Sequence, residues 1–121
     1  MREQIESAYR AWNDAFNRGD AKAVASFYSE NAKLLPPTHD VIEGREAIER
    51  FWDSLLKAGM TSHTLEMTAV EDDQRGAVGV AKWSARGKGR EGAERTFHGS
   101  VVHIFAKQQD GGSKIWLHIW N

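Results

Sequence analysis

The spacing of apolar residues changes once along this chain of 121 residues, from a helical period to a period of two. In the first half, apolar side chains recur every three or four positions, which is typical of amphipathic helices. In the second half, apolar and polar side chains alternate, which is typical of strands with one buried face. Helices followed by an antiparallel sheet predict an α+β domain in which a curved sheet wraps the helices.

Caps and breakers set the predicted element boundaries. Asp20 is a suitable N-cap for a second helix, Gly59 ends the third, and Pro36 ends a short strand because proline lacks the N–H that a central strand needs. Helices are predicted over residues 5–18, 20–31 and 45–58, and strands over 34–37, 62–71, 77–86, 95–107 and 114–120. Residues 87–94, with three glycines, are predicted to form a mobile hairpin tip.

Composition excludes several classes of function. The length predicts one domain, residues 1–121. Sixteen Lys and Arg against seventeen Asp and Glu, mixed along the chain, argue against a nucleic-acid partner. The chain has no cysteine for a disulfide or a thiolate site, and no long apolar run for a membrane span, so a cytoplasmic location is expected. No phosphate-loop, dinucleotide or zinc-protease motif occurs, so no cofactor is expected.

Tryptophan is unusually frequent. Trp12 and Trp52 lie in helical apolar stripes, where a core position is the commoner explanation, whereas Trp83 alternates with glycine and alanine and so has space beside it. The five tryptophans are Trp12, Trp52, Trp83, Trp116 and Trp120. They predict broad aromatic walls, either in a core or around a ligand.

The last predicted hairpin separates two kinds of side chain. If a two-residue turn, Asp110–Gly111 or Gly111–Gly112, joins its strands, one face is aliphatic and the other aromatic. The aliphatic face holds Val102, Ile104, Ala106, Ile115, Leu117 and Ile119, and the aromatic face holds Val101, His103, Phe105, Trp116, His118 and Trp120. With the Asp-Gly turn, His103 lies directly opposite His118.

Two adjacent imidazoles on an aromatic face are candidates for proton transfer near neutral pH. The alternative is a core or interface face on which each histidine is satisfied by a hydrogen bond. A metal site is not expected, because two histidines without a nearby carboxylate or third histidine make a poor ligand set. His39, His63 and His98 are expected on the surface or in loops.

The chain resembles the SnoaL-like branch of the NTF2-like superfamily, which includes steroid isomerases, polyketide cyclases and scytalone dehydratase. The resemblance rests on YRAWNDAFNRGD at residues 9–20, LLPP at 34–37, IEGREAI at 42–48 with Phe51-Trp52, and the closing segment 114–121. It implies an α+β barrel-like cone with three N-terminal helices packed on a strongly curved, mostly antiparallel sheet that encloses a pocket. It also implies that the face with His103, His118 and Trp120 looks into that pocket.

The steroid isomerase machinery does not carry over with the resemblance. The tyrosine on the first helix of those enzymes falls at Trp12, their general-base aspartate falls at Pro36, and their second acid falls at or beside His103. The resemblance therefore implies the pocket without that mechanism.

Three functions remain open on these observations. One is an enzyme that acts on a small apolar molecule, with His103 and His118 as general base and acid and with Trp12, Trp83, Phe105, Trp116 and Trp120 holding the substrate. The second is a binding protein that uses the same pocket without catalysis, and the third is an assembly module. A homodimer is expected, because the outer face of such a sheet needs cover.

Overall fold

Helices and strands follow one another in the order that the change of period predicts. The computed structural model describes residues 2–89 and 91–121. The helices are α1 (Arg2–Asn17), α2 (Ala21–Ala25) and α3 (Arg45–Lys57). The strands are β1 (Tyr28–Leu35), β2 (Ile42–Glu43), β3 (Thr61–Asp73), β4 (Gly76–Lys88), β5 (Glu94–Lys107) and β6 (Ser113–Trp120). The predicted α+β class is confirmed.

The described strands form a curved sheet in the order β2-β1-β6-β5-β4-β3. Strands β1 and β6 run parallel, and the other neighbours run antiparallel. Register shifts in β1, β3 and β6 bend the sheet, because an extra residue on one strand increases its local twist. The sheet is not closed into a barrel, so that part of the prediction is wrong: β2 and β3 remain as separate edges.

One core lies between the inner face of the sheet and the helices. Its largest fully buried side chains come from the three helices and the sheet, and include Trp12, Phe16, Tyr28, Leu34, Ile48 and His103. Arg45 ties α3 to the sheet, since its guanidinium donates to the Tyr28 carbonyl from Nε at 3.0 Å and from Nη2 at 2.8 Å. The helices therefore pack on the concave face of the sheet.

The second helix is much shorter than predicted. It begins after Asp20, whose side chain accepts from the Ala23 N–H at 3.0 Å as a cap does, but it ends at Ser26. Residues 28–35 form β1 instead, in which Tyr28 and Lys33–Leu35 pair with β6 and the Ile115 N–H donates to the Phe27 carbonyl at 2.8 Å. The short strand β2 was not predicted.

Helix α1 begins three residues earlier than predicted, and the remaining helix and strand boundaries after β1 agree with the prediction to within two residues. Strand β1 ends immediately before Pro36, and α3 is followed by Gly59 with a φ of 99°. The predicted hairpin tip at 87–94 contains Arg90, which lies outside the described residues. Within the described residues, no helix is long and apolar enough to cross a membrane.

Candidate functional site

The concave face of the sheet, α1 and α3 enclose a cavity of about 50 Å³, which we call the aromatic cavity. A single water needs about 10–15 Å³ of such space, so the cavity has room for one or a few waters. Among the described residues that line the cavity, the titratable side chains are all histidines. The lining comprises Trp12, Phe16, Trp52, Leu55, Met60, His63, Leu65, Trp83, Val101, His103, His118 and Trp120.

Two of these imidazoles touch each other at the buried end of the cavity. His103 on β5 pairs directly with His118 on β6, and their ring centroids are 4.1 Å apart. The two residues are 1% and 5% exposed. The predicted position of the pair, opposite each other and facing inward, is confirmed.

The turn on which that prediction depended is nevertheless different. Lys107 pairs with Ser113, so five residues separate β5 from β6 where a two-residue turn was predicted. A loop of odd length shifts the register by one residue, which would turn His118 away from His103. Strand β6 contains one extra residue, Trp116, at its register shift, and this bulge restores the alignment.

The same bulge removes Trp116 from the inner face, so its predicted position beside His118 is wrong. The Trp116 side chain is 40% exposed on the outer face, where Lys33 Nζ lies 5.9 Å from its ring centroid. Ile115 takes the inner position instead and is 3% exposed. Phe105 does face inward, but it packs against Tyr9 and His103 and does not line the cavity.

The other predicted aromatic residues meet at the cavity. Trp12 forms part of its buried floor, while Trp83 and Trp120 are half-buried on its open side. Trp83 is held in place by a hydrogen bond from Nε1 to the carbonyl of Asn121 at 3.1 Å. Trp120 stacks on Trp52 with ring centroids 5.4 Å apart. The predicted aromatic wall is therefore assembled from Trp12, Trp83 and Trp120.

A tyrosine behind the cavity is the hydrogen-bond partner of His118. Tyr28 Oη accepts from Trp12 Nε1 at 3.1 Å and lies 2.8 Å from His118 Nδ1. Since the indole can only donate and Tyr28 is fully buried, donation of the Tyr28 proton to Nδ1 is the direction that leaves no buried hydroxyl proton without a partner. Burial raises the pKa of Tyr28, so the phenol keeps that proton. With Nδ1 as the acceptor, the neutral His118 ring carries its own proton on Nε2.

A second tyrosine connects the other imidazole to α1. Tyr9 Oη lies 3.1 Å from His103 Nδ1, and burial raises the pKa of this phenol too. The hydroxyl fits because β4 has glycine beneath it: a Cβ at Gly79 would collide with Tyr9 Oη. Each member of the histidine pair thus has a tyrosine hydroxyl on its Nδ1.

A third histidine lines the cavity, against the prediction that it lies on the surface. His63 on β3 is half-buried, and its ring is parallel to Trp83 at 6.2 Å. His39 and His98 are exposed, as predicted. The sequence did carry a signal for His63, because it alternates in phase with Leu65 toward the inner face of β3.

A bulge and two asparagines position His63. Ser62 has a φ of 55°, in the left-handed region, where β3 carries an extra residue relative to β4. Asn17 receives the His63 N–H on Oδ1 at 2.7 Å and donates from Nδ2 to the His63 carbonyl at 3.0 Å. Asn13 Oδ1 lies 2.7 Å from His63 Nδ1. Bulges often re-aim a side chain in this way, and this one aims an imidazole into the cavity.

Burial keeps all three imidazoles neutral. Loss of water lowers the pKa of His63 to about 4, and burial together with the proximity of His63 lowers the pKa of His103 to about 3. The pKa of His118 is also lowered, by burial and by its two histidine neighbours. The site is therefore an uncharged polar cluster within aromatic walls. Among the described residues, no group of three or more His, Asp or Glu side chains is arranged to hold a metal ion.

Comparison with known proteins gives one sequence relative with an activity. A steroid Delta-isomerase from Nocardioides simplex is 32% identical over 71 residues, which cover 58% of this chain and 58% of the relative. The matched part thus leaves more than a third of the relative's length unaligned.

Solved structures show the same fold. A putative calcium/calmodulin dependent protein kinase II association domain from Xanthomonas campestris has a TM-score of 0.80 at 23% identity, covering 96% of this chain and 83% of that chain. An NTF2-like superfamily protein from Salmonella enterica has a TM-score of 0.82 at 15% identity, covering 98% of this chain and 88% of that chain. The model of the SnoaL-like domain matches residues 9–118. The chain therefore belongs to the SnoaL-like family, within the NTF2-like fold.

Proposed function

We propose that the aromatic cavity binds a small, uncharged, mainly apolar molecule and that His103 and His118 transfer a proton on it. The reaction would be of the isomerase, cyclase or dehydratase type, without a cofactor. The observation that carries the proposal is the pair of neutral imidazoles, 4.1 Å apart, enclosed by tryptophan. The partial similarity to a steroid Delta-isomerase supports the same type of reaction.

The lining selects against charged ligands. No lysine or arginine is among the described residues that line the cavity. An anion that entered the cavity would lose its hydration without gaining a cationic partner, and this would cost about several kcal/mol of binding free energy. Aromatic walls and neutral imidazoles instead favour a ring compound with one or two polar atoms.

The proposed step consumes nothing but the substrate. One imidazole takes a proton from the carbon beside a carbonyl group, and the C–H electron pair moves into the carbonyl. The other imidazole protonates the oxygen, which gives an enol. In a β,γ-unsaturated ketone this enol is conjugated with the second double bond. The first imidazole then returns its proton to the γ carbon, the second takes back the hydroxyl proton, and the double bond moves next to the carbonyl while both histidines are restored.

The cavity must enlarge to admit such a molecule. Cavities that take benzene measure about 150 Å³, whereas this one measures about 50 Å³. Its half-buried residues Leu55, Met60 and Trp120 lie on the open side. Met60 is the most adaptable of these because its side chain is unbranched. We therefore expect ligand entry to require rearrangement at Met60.

Deuterium exchange tests the proposal directly. The protein is incubated in D₂O with cyclopentanone, cyclohexanone or a β,γ-unsaturated ketosteroid, and incorporation beside the carbonyl is followed by NMR. We expect the wild type to exchange these protons faster than buffer alone. The rate catalysed by the protein should fall about 100-fold or more in His103→Gln and in His118→Gln. His98→Gln, at an exposed histidine, is the matched control. Equal exchange in all variants would contradict the catalytic role of the pair.

A second candidate function is binding without catalysis. The pKa of about 3 for His103 favours it, because a base this weak is poorly matched to proton transfer near pH 7. A pure binding protein would show saturable changes in tryptophan fluorescence and a raised melting temperature with these ketones. It would show no deuterium exchange.

A further inference from the structure

The contact between Asn13 and His63 defines a direction for the hydrogen bonds in the cavity. Asn13 Oδ1 is an acceptor, so His63 Nδ1, at 2.7 Å, must be the donor. In a neutral ring the proton on Nδ1 leaves a lone pair on Nε2. His63 lines the cavity, and its Nε2 has no hydrogen-bond partner among the described residues.

His118 has the opposite arrangement. Donation from the buried Tyr28 hydroxyl to its Nδ1, 2.8 Å away, satisfies both groups and leaves the proton of the neutral ring on Nε2. The two rings stand on strands separated in the sheet by β5 and β4. The cavity therefore has an acceptor on its β3 side and a donor on its β6 side.

We propose that Asn13 is a positioning residue that fixes His63 as the hydrogen-bond acceptor of the cavity, opposite the donor His118. Given the proposed function, the ligand class becomes narrower: an uncharged ring molecule with a hydroxyl group, or an acidic C–H, at one end and an acceptor oxygen at the other. His63 is then a second proton acceptor of the site, besides His103.

An amide suits this task better than a carboxylate. Aspartate at position 13 would also accept from Nδ1, but its negative charge would stabilise the imidazolium form of His63. In that form Nε2 is protonated and can no longer accept a hydrogen bond. Asn13 orients the ring while leaving it neutral. Asn17 holds the backbone of His63 by two further hydrogen bonds, so the ring bond and the backbone bonds can be removed separately.

The tautomers are measured by long-range ¹H–¹⁵N NMR of protein with ¹⁵N-labelled histidine, at pH 7 and without ligand. We expect His63 protonated on Nδ1 and His118 protonated on Nε2. Leucine has a similar shape to asparagine but no acceptor. In Asn13→Leu we therefore expect His63 to show a mixture of the Nδ1- and Nε2-protonated tautomers. Asn17→Ala is the matched control and should leave the ring tautomer as in the wild type.

Asn13→Asp gives an independent readout. The new carboxylate should raise the pKa of His63 from about 4 by about 1 to 3 pH units, because opposite charges in contact favour the charged imidazole. His63 protonated on Nε2 in the wild type, or unchanged ring signals in both Asn13 variants, would overturn the proposal. Unfolding of a variant is checked by circular dichroism, and the wild-type spectrum decides the tautomer without any variant.

Ligand selection is tested with phenol and toluene, two rings of similar size of which only phenol has a hydroxyl. We expect Asn13→Leu to weaken phenol binding about 2- to 10-fold and to leave toluene binding unchanged, as measured by tryptophan fluorescence. Equal losses for both rings would overturn the proposed ligand class. Failure of both rings to bind the wild type would contradict the proposed binding function, whereas the tautomer result needs no ligand.

Discussion

Acid should destabilise this protein through its buried histidines, and His103 allows the effect to be calculated. Its pKa is about 3 in the folded chain and about 6.5 in the unfolded chain, so the unfolded chain binds the proton more readily. The stability that this group contributes is fully present above pH 6.5 or thereabouts. It is lost progressively as the pH falls toward the folded pKa.

The magnitude follows from the difference between the two pKa values. Each pH unit in this range changes the free energy of unfolding by about 1.4 kcal/mol for a single group, so His103 alone costs about 2 kcal/mol at about pH 5. Domains of this size are stable by only about 5–15 kcal/mol. One histidine therefore accounts for a measurable part of the acid sensitivity.

Urea unfolding at a series of pH values between about 5 and 7.5 provides the assay. Below about pH 6 the slope of the unfolding free energy against pH should be lower by about 1.4 kcal/mol per pH unit in His103→Gln than in the wild type, and above about pH 7 the two slopes should agree. His98→Gln controls for the substitution itself. An equal slope below about pH 6 in wild type and His103→Gln would refute the reasoning. So would an NMR titration in which the His103 ring carbons of the wild type have their midpoint near the ordinary histidine value.

Two further outcomes are expected. Tyr28→Phe should lower the free energy of unfolding, measured in urea, by about 1–3 kcal/mol, because Trp12 Nε1 and His118 Nδ1 lose their partner. Tyr9→Phe should lower it by less. Negligible losses in both variants would contradict the assigned hydrogen bonds. We also propose a homodimer through the convex face, so sedimentation should show a dimer that Trp116→Glu dissociates, since Trp116 is 40% exposed there. A monomeric wild type would contradict the dimer, and a ring of ten or more subunits would favour an assembly module.

Periodicity was sufficient to predict most of the fold. The helices α1 and α3 and the four long strands could be located because each has one apolar face with a regular repeat. The start of β1 could not be assigned, because the pairing of Tyr28 with Ile115 depends on a distant part of the chain. Local pattern favours continuing the helix there, and only the sheet supplies the hydrogen bonds that make it a strand.

The candidate site was only partly predictable, for a related reason. Alternation along β5 and β6 identified His103 and His118, but it could not reveal the bulge at Trp116, since no local residue requires one extra position there. The predicted pairing of His103 with His118 is nevertheless correct, because the odd-length loop and the bulge each shift the register by one residue and the two shifts cancel. His63 was predicted on the surface, and its inward position depends on the bulge at Ser62 as well as on its alternation with Leu65 along β3.

Helix α1 controls two of the three imidazoles at once. Tyr9, Asn13 and Asn17 recur every four residues, so they form a single line along the helix that contacts His103 and His63. Each residue of an α-helix turns the chain by about 100°. Inserting or deleting one residue before Tyr9 leaves the relative positions of Tyr9, Asn13 and Asn17 unchanged. The same change between Tyr9 and Asn17 would rotate one part of the helix relative to the other, so that some of these side chains would no longer face their histidine partners. The spacing within this segment, more than the identity of its surface residues, is therefore what a functional variant must keep.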